Sequence, residues 1–342
     1  VVKTDINLNS NRFSGFVQNT WNVSDSSKEL SFTAGIRAQY WDLNKEFIWM
    51  PRMRLLYKPV KWKKDISFKL ATGLYHQPPF YRELRNQQGE INRDVVSQKS
   101  YHLVLGSTYD FTFRGRDFRF LGEAYYKHLW DIVPYDIDNV RIRYFGENLA
   151  EGYATGLDLR LNGELVEGAE SWINVSFLRT RERFKGVTHL IRTAENPDTA
   201  TAVSDVPRAT DRLFNVSMFF QDYLPQNKNF KVHMNLTVGS GNPFGIPNNN
   251  VEYRNIYRFN GYHRVDIGFS ALLWDRDKMQ HKKPDHPLKF TNKTWMSLEI
   301  FNLLKISNSS SNTWIKTVFA QQYAVPNYLT SRRINLRFKF EF

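Results

Sequence analysis

The chain has no cysteine in 342 residues. That excludes disulfide staples, thiol nucleophiles and cysteine-ligated metal centres, and it fits an oxidising compartment. It also lacks any run of 18 apolar residues, so no segment can cross a bilayer as a helix. No stripe of 3.6-residue period extends for a useful length, and no long repeat or low-complexity linker marks a second domain. Residues 1–342 therefore read as one domain. The chain opens Val-Val-Lys-Thr-Asp, with neither a starting Met nor an apolar signal segment. This leaves a removed signal or a cut further in.

Catalytic signatures are missing too. There is no His-Glu-x-x-His, no Gly-x-Ser-x-Gly and no phosphate loop. The segment Gly239-Ser240-Gly241-Asn242-Pro243-Phe244-Gly245 is superficially like a dinucleotide loop, but its spacing is wrong, and three glycines with a proline make a loop turn. Serines, histidines and acids are too abundant and scattered to mark a triad, so an enzyme is not expected. No cofactor is expected either. His281 with Asp285 and His286, and the oxygens of Asp136, Asp138 and Asn139, are read as polar turn and loop residues rather than metal cages. The sequons at Asn174-Val-Ser and Asn235-Leu-Thr fall in alternating, strand-like stretches and are given no functional weight.

What the chain does carry is charge and aromatic mass. Net charge is +13 and the isoelectric point is about 9.7. The basic residues are spread over strands and small turn groups such as Lys61-Trp62-Lys63-Lys64, with no basic helix face and no nucleic-acid motif, so nucleic acid is not expected as a partner. Anionic lipid headgroups and lipopolysaccharide, or an anionic ligand in a lumen, are simpler partners. Aromatic residues make up 15% of the chain. Mean hydropathy is −0.53, a value that an alternating barrel strand produces as readily as a soluble protein does.

The C-terminal stretch Arg-Arg-Ile-Asn-Leu-Arg-Phe-Lys-Phe-Glu-Phe organises the reading. Ile334, Leu336, Phe338, Phe340 and Phe342 alternate with Asn335, Arg337, Lys339 and Glu341. A period of two places the first set on one face of a strand and the second on the other. One face suits lipid and the other a watery lumen, and about ten residues span a bilayer. The fold class expected is all-β, an antiparallel transmembrane β-barrel.

Twelve more such strands precede it, at Phe13–Val23, Leu30–Tyr40, Met53–Tyr57, Ile66–Leu74, Tyr101–Phe111, Phe118–Tyr126, Tyr153–Leu161, Ile173–Phe177, Phe214–Phe220, Phe230–Val238, Val265–Leu273 and Met296–Ile300. Pro225 falls in a turn. Trp314–Ala320 alternates poorly and reads as part of a long loop. The longest connections are Gln77–Ser97, Trp130–Glu151, Arg181–Thr210, Ser240–Gly261 and Leu303–Thr330, all after even strands; Asp275–Asn292 is of middling length. Long loops face outward in outer-membrane barrels, which sends even strands outward and leaves Phe342 at the periplasmic side. Thirteen is odd, and bacterial single-chain barrels have even counts, so the expectation is the C-terminal part of a larger barrel. Open edges in lipid would leave unpaired backbone groups.

Several segments resemble TonB-dependent outer-membrane receptors: Tyr75-His76-Gln77-Pro78-Pro79-Phe80-Tyr81-Arg82, Val133-Pro134-Tyr135 with Asp138-Asn139-Val140-Arg141, Gly152-Tyr153-Ala154-Thr155-Gly156, Arg264-Val265-Asp266-Ile267-Gly268, Phe301-Asn302-Leu303-Leu304 and the Arg-rich last strand. The resemblance implies a 22-stranded barrel of which these are the last 13 strands, a cell outer-membrane location, and uptake of a scarce ligand (siderophore, oligosaccharide or peptide) driven by the inner-membrane energy-coupling complex, TonB. It also implies a barrel-insertion signal in the terminal Phe338, Phe340 and Phe342. The family's plug domain and early strands have no counterpart in this chain; they are expected as partners from a missing N-terminal part, and a surface lipoprotein is a further option.

The best ligand candidates are aromatic and basic residues of the outer loops: Tyr75, His76, Phe80, Tyr81, Arg82, Trp130, Tyr135, Arg141, Arg143 and Tyr144. Aromatics supply rigid contact area and arginine supplies bidentate anion recognition. The alternative is that they pack loops together or form the outer girdle. Lumen charges such as Arg37, Lys69, Arg119, Glu123, Lys127, Asp158, Arg160, Asp266 and Glu299 are expected to pair across strands or to meet a plug. Three functions follow: an energy-coupled receptor, a non-transporting barrel serving as scaffold or subunit, or a passive 14-stranded porin should Trp314–Ala320 span.

Overall fold

The structure, a computed structural model, describes residues 8–138, 141–166, 169–192, 198–224, 227–247, 251–279, 281, 283, 285–319 and 321–342, without the side chain of Val166. Thirteen long strands follow one another: β1 (Arg12–Ser24), β2 (Lys28–Trp41), β3 (Glu46–Pro59), β4 (Asp65–Gln77), β5 (Gln98–Phe113), β6 (Arg116–Ile132), β7 (Ala150–Val166), β8 (Ala169–Phe184), β9 (Phe214–Leu224), β10 (Asn227–Gly239), β11 (Tyr262–Asp275), β12 (Lys293–Phe301) and β13 (Arg333–Glu341). Each is hydrogen-bonded to the next in a single up-and-down sheet, and the short strand Val206–Pro207 extends the ladder along β8. Every expected strand is present, most of them longer than the alternation alone marked. β3 is the extreme case, because Pro51 and Arg52 interrupt its apolar stripe but not its pairing with β2.

Register keeps like faces together. Leu336 lies opposite Leu298 and Phe338 opposite Met296, while Arg337 lies opposite Ser297 and Asn335 opposite Glu299. The apolar members of β13 are bare: Ile334 is 71%, Leu336 56% and Phe338 49% exposed. Leu236 and Ile267, outward on β10 and β11, are half-buried beside the cross-strand partners Val265 and Met234. Such a surface on every strand belongs against hydrocarbon. Aromatics gather where this face meets the short turns, with Trp21 stacked on Phe32 at 5.6 Å, Tyr109 on Phe111 at 4.9 Å and Phe290 near Phe340 at 6.4 Å. Amphipathic rings at that depth form an interfacial girdle.

The lumen face is polar and largely self-paired. Lys69 meets Glu123, Arg119 Nε donates to Asp110 at 2.6 Å, and Arg337 Nη2 lies 2.8 Å from Glu299, which also accepts from Asn335. The last two join neighbouring strands, as opposite charges across a pair do, while Lys69 and Glu123 meet over Gly106 of the intervening β5.

The apolar core sits in the outer loops, not between sheets. Trp41, Leu84, Val95, Val133 and Tyr144 form one buried cluster; Ile132, Ala150 and Phe184 form a second. Long connections thus fold into a packed cap over the barrel mouth. Within it are two hairpins, Tyr135–Asp138 with Arg141–Tyr144 and Ser309–Lys316 with Gln322–Tyr328. The second hairpin holds the poorly alternating Trp314 stretch in a sheet of its own, so that stretch adds no strand to the wall. On the opposite side, the connection between β11 and β12 folds around Trp274, which is fully buried, stacks on His286 at 4.6 Å and donates to Thr291 O at 3.0 Å. Asn139, Val140, Pro225 and Ala320 lie outside the described residues.

Candidate ligand-binding site in the barrel mouth

Beneath the cap, the upper lumen opens into a vestibule of about 570 Å³. Inward positions of β4 to β8 build most of it, joined by Arg208 and Thr210 beyond Val206–Pro207; His76 and Lys99, paired with each other one residue beyond the inward pair Tyr75 and Ser100, border it from outward-alternating positions. Alternation puts Tyr75 and His102 on the same face of adjacent strands, where their rings stack at 4.3 Å. His102 Nε2 shares a hydrogen bond of 2.9 Å with Ser100 Oγ. Lys127 Nζ stands 5.3 Å from the centre of the Tyr125 ring.

Lys99, Lys127 and Arg208 all line the space, as do His76 and His102, and no carboxylate does among the described residues. Lys99 reaches Asp131 at 2.8 Å and Arg208 reaches Glu182 at 3.2 Å, so both are held from behind by acids outside the cavity. His76 Nδ1 is buried without a hydrogen-bond partner among the described residues. Lys99 and Arg208 are thus balanced, and Lys127, beside the Tyr125 ring, is the lining cation that no acid engages among the described residues; its charge in a space without a lining carboxylate favours an anion.

A smaller recess of about 80 Å³ lies higher, among three outer loops. Pro243, Phe244 and Pro247 line one wall, Trp314 of the second hairpin another, and Tyr135 and Ile137 of the first hairpin a third. Phe244 stacks on Phe259 at 4.4 Å and approaches Trp314 at 6.4 Å. Arg254 crosses behind it: its Nε donates to Glu182 Oε1 at 2.8 Å, it meets Asp136, and its guanidinium lies 5.0 Å from the Phe184 ring.

The ten loop candidates divide among these places. Tyr75 and His76 line the vestibule, at the outer end of β4 rather than in a loop. Tyr135 lines the upper recess. Phe80, Tyr81 and Arg82 build the cap: Tyr81 shares a 2.8 Å hydrogen bond with Ser10, and Arg82 lies 5.6 Å from the ring of buried Tyr144. Arg143 pairs with Asp138 at 3.3 Å, and Arg141 is exposed. Trp130 belongs to β6, not to a loop, and stacks on His128 at 5.7 Å. The strand runs on to Ile132 because its outward ladder with β5 continues to Trp130.

Ser100, His102, Tyr125 and Arg208 were not among those ten. The alternation places the first three on the lumen face, but nothing local sets them apart. Phe244 stood inside the segment read as a turn. Neither Asp136 nor Asp138 is free for a cation, since each faces an arginine. Among the described residues no three histidines or carboxylates converge as metal ligands.

A family profile described as "TonB dependent receptor-like, beta-barrel" matches residues 2–303. The chain belongs to that family. Solved structures repeat its fold at low identity. The outer membrane transporter YddB from Escherichia coli is 13% identical with a TM-score of 0.65, covering 97% of this chain and 45% of its own. The ferric yersiniabactin uptake receptor FyuA from Yersinia pestis is 12% identical with a TM-score of 0.61, covering 97% and 46%. The pyoverdine receptor FpvA from Pseudomonas aeruginosa, solved with pyoverdine bound, is 12% identical with a TM-score of 0.62, covering 97% and 42%. The chain therefore spans about half the length of the solved structures it matches. No curated protein matches it by sequence. This TonB-dependent receptor barrel is an outer-membrane chain, and the bare apolar strand faces described above are what that location requires.

Proposed function

We propose that this chain is the C-terminal barrel portion of an energy-coupled receptor that imports a scarce anionic ligand across the outer membrane. The observation that carries the reading is the vestibule beneath the packed cap, with Lys127 on its wall, Lys99 and Arg208 at its margin held by acids outside it, and no carboxylate among its described lining residues. The cap would admit the ligand, the cations would hold it, and the inner-membrane TonB complex would supply the work of release. Neither β1 nor β13 has a second partner among the described residues, and an unpaired edge in lipid costs several kcal/mol per backbone group. Earlier strands and a plug supplied by further chain would close that gap.

The test is uptake. Cells producing the whole receptor should deplete a negatively charged solute from their medium, and should stop when the coupling complex is disabled or Lys127→Gln is introduced. Uptake that survives loss of the coupling complex, or steady ion conductance in a planar bilayer without an energy source, would instead mark a passive pore. A barrel that depletes nothing but co-purifies with a stable partner would be a scaffold.

A further inference from the structure

We propose that the turn between β3 and β4 binds the phosphate headgroup of an anionic phospholipid in the inner leaflet of the outer membrane. Short turns lie on the periplasmic side of such barrels. The five residues of this one, Val60-Lys61-Trp62-Lys63-Lys64, are all exposed. Its backbone is nonetheless fixed: the Val60 N–H donates to Ser27 O of the adjacent turn at 2.9 Å, and the Ile66 N–H donates to Lys64 O at 3.0 Å. Trp62 is 55% exposed, and its ring meets Phe68 of the lipid face edge-on, with centres 6.0 Å apart and planes at 83°. That contact sets the turn at the boundary between hydrocarbon and water. An indole there keeps its apolar body on the tails and its N–H among the headgroups.

Three lysines flank this ring in sequence, and among the described residues no carboxylate engages any of them. The nearest acids in the ladder are taken on the lumen face. Asp65 pairs with Lys58 at 2.8 Å, and Asp110, opposite Asp65, binds Arg119. Glu29 lies opposite the same Lys58 in the pairing of β2 with β3. In the adjacent turn, Asp25 accepts from the N–H groups of Ser27 and Lys28 at 2.6 and 3.0 Å. Lys61, Lys63 and Lys64 therefore keep their charge for a partner outside the chain. An ammonium group binds phosphate as a point charge, and each lysine close to an anionic bilayer surface adds to the attraction.

Three other connections on this side show the contrast. Between β5 and β6, Arg116 is turned onto the Leu165 carbonyl, which leaves Arg114 as a single cation over Phe113. The facing ends of β7 and β8 carry exposed Glu164 and Glu170, the opposite sign. Between β11 and β12, Lys278 and Lys289 each face an aspartate, at 3.6 and 3.7 Å. A zwitterionic headgroup would bring its own ammonium against three lysines, so the β3–β4 turn selects a lipid with net negative charge. A free phosphate ion would use the lysines and leave the Trp62 ring in water. A lipid uses both, since its glycerol region lies at the depth of the ring. The site faces lipid rather than the lumen and does not rest on the import reading.

Native mass spectrometry tests this directly. The whole receptor, purified in detergent, is mixed with equal amounts of phosphatidylglycerol and phosphatidylethanolamine, and the bound lipids are counted. The first adduct should favour phosphatidylglycerol about tenfold. Replacing all three lysines, by Lys61→Gln, Lys63→Gln and Lys64→Gln together, should bring that ratio near one. The combination Lys278→Gln, Lys283→Gln and Lys289→Gln removes the same charge elsewhere on this side and should leave the ratio unchanged. Trp62→Ser should lower phosphatidylglycerol occupancy severalfold, and excess inorganic phosphate should not displace the lipid. Heat-modifiable gel mobility confirms that each variant is an assembled barrel. An even ratio in the unaltered receptor, or equal loss in both triple variants, would overturn the proposal by showing attraction without a site. Full occupancy in Trp62→Ser, or displacement by inorganic phosphate, would overturn it in favour of a plain anion site.

Discussion

Arg254 Nε donates to Glu182 Oε1 at 2.8 Å, with the two side chains only 6% and 4% exposed. Around this pair three outer connections meet. Glu182 ends β8 and accepts from Arg208 through its other oxygen at 3.2 Å, while Arg254 also reaches Asp136 and the Tyr135 carbonyl. Neither charge could sit there alone, since an unpaired buried ion costs several kcal/mol. The pair is therefore the joint between the cap and the wall.

Arg254→Met should undo that joint. It leaves Glu182 with Arg208 as its remaining cation and Asp136 without this one, at a cost toward the lower end of the ~3–5 kcal/mol of a broken buried pair. The loss should be local. Hydrogen exchange should quicken in residues 133–149 and 181–211 while the hairpins of β10 to β13 keep their protection. Uniform acceleration across the barrel would show that the cap and the wall unfold together.

His189 gives the cap a pH dependence. It is fully buried, its Nε2 accepts from the Phe184 N–H at 3.1 Å, and its Nδ1 lies 3.1 Å from the Val251 carbonyl, to which it must donate. Burial holds its pKa below the ordinary histidine value; the backbone carbonyls of Val251 and Glu252 and the Glu182 carboxylate pull the other way, and Arg254 adds to the lowering. A second ring proton would point at the Phe184 N–H. The unfolded loop therefore takes up a proton more readily than the folded one, so stabilisation is complete above about pH 6.5 and is lost as pH falls below that toward the folded value. Limited proteolysis near His189–Ile191 should accelerate between pH 7.5 and pH 5. His189→Leu should flatten that profile.

The two faces of β13 make opposite predictions. Leu336→Arg puts a charge in hydrocarbon near mid-strand, at about 2–4 kcal/mol, whereas Asn335→Arg faces the lumen and should cost little. Refolding yields into lipid vesicles, read by heat-modifiable mobility, should separate the two variants. Phe342→Ser should lower assembled barrel in the outer membrane more than it lowers refolding in vitro, if the terminal aromatics act as an insertion signal.

The wall was legible from sequence because its physics is local. In β13, one residue in two meets lipid, and that period survives in the residue order from Ile334 to Phe342. The cap was not, since its contacts join residues far apart: Glu182 with Arg254, Arg208 with Glu182, His189 with Val251. No period records such pairings. Pro243-Phe244 shows the limit most clearly. Its glycines and proline announced a turn, whereas Pro243–Phe244 is a short strand paired with Tyr257–Arg258, and Phe259 and Trp314 reach its ring from elsewhere. Trp130 failed the other way, because a loop assignment that rested on where apolar alternation fades placed the end of β6 too early.

Gly156 sets the shape of the vestibule and offers a rescue experiment. It lies directly opposite Tyr125 in the pairing of β6 with β7, and a Cβ there would overlap the tyrosine hydroxyl and crowd the Phe177 carbonyl. The ring thus lies over the glycine, close to Lys127. Gly156→Ala should push the ring into the vestibule, at about 1–3 kcal/mol of overpacking. With citrate as a trivalent anionic probe, calorimetry on the reconstituted receptor should show binding about tenfold weaker. Removing the hydroxyl relieves one of three close contacts, since the ring carbon Cζ of Tyr125 also lies there, so Tyr125→Phe combined with Gly156→Ala should recover only a small part of that loss. The crowding at Phe177 O would remain. If Tyr125→Phe alone weakens citrate as much as Gly156→Ala does, the hydroxyl is a ligand contact in its own right, and the glycine matters only for the backbone.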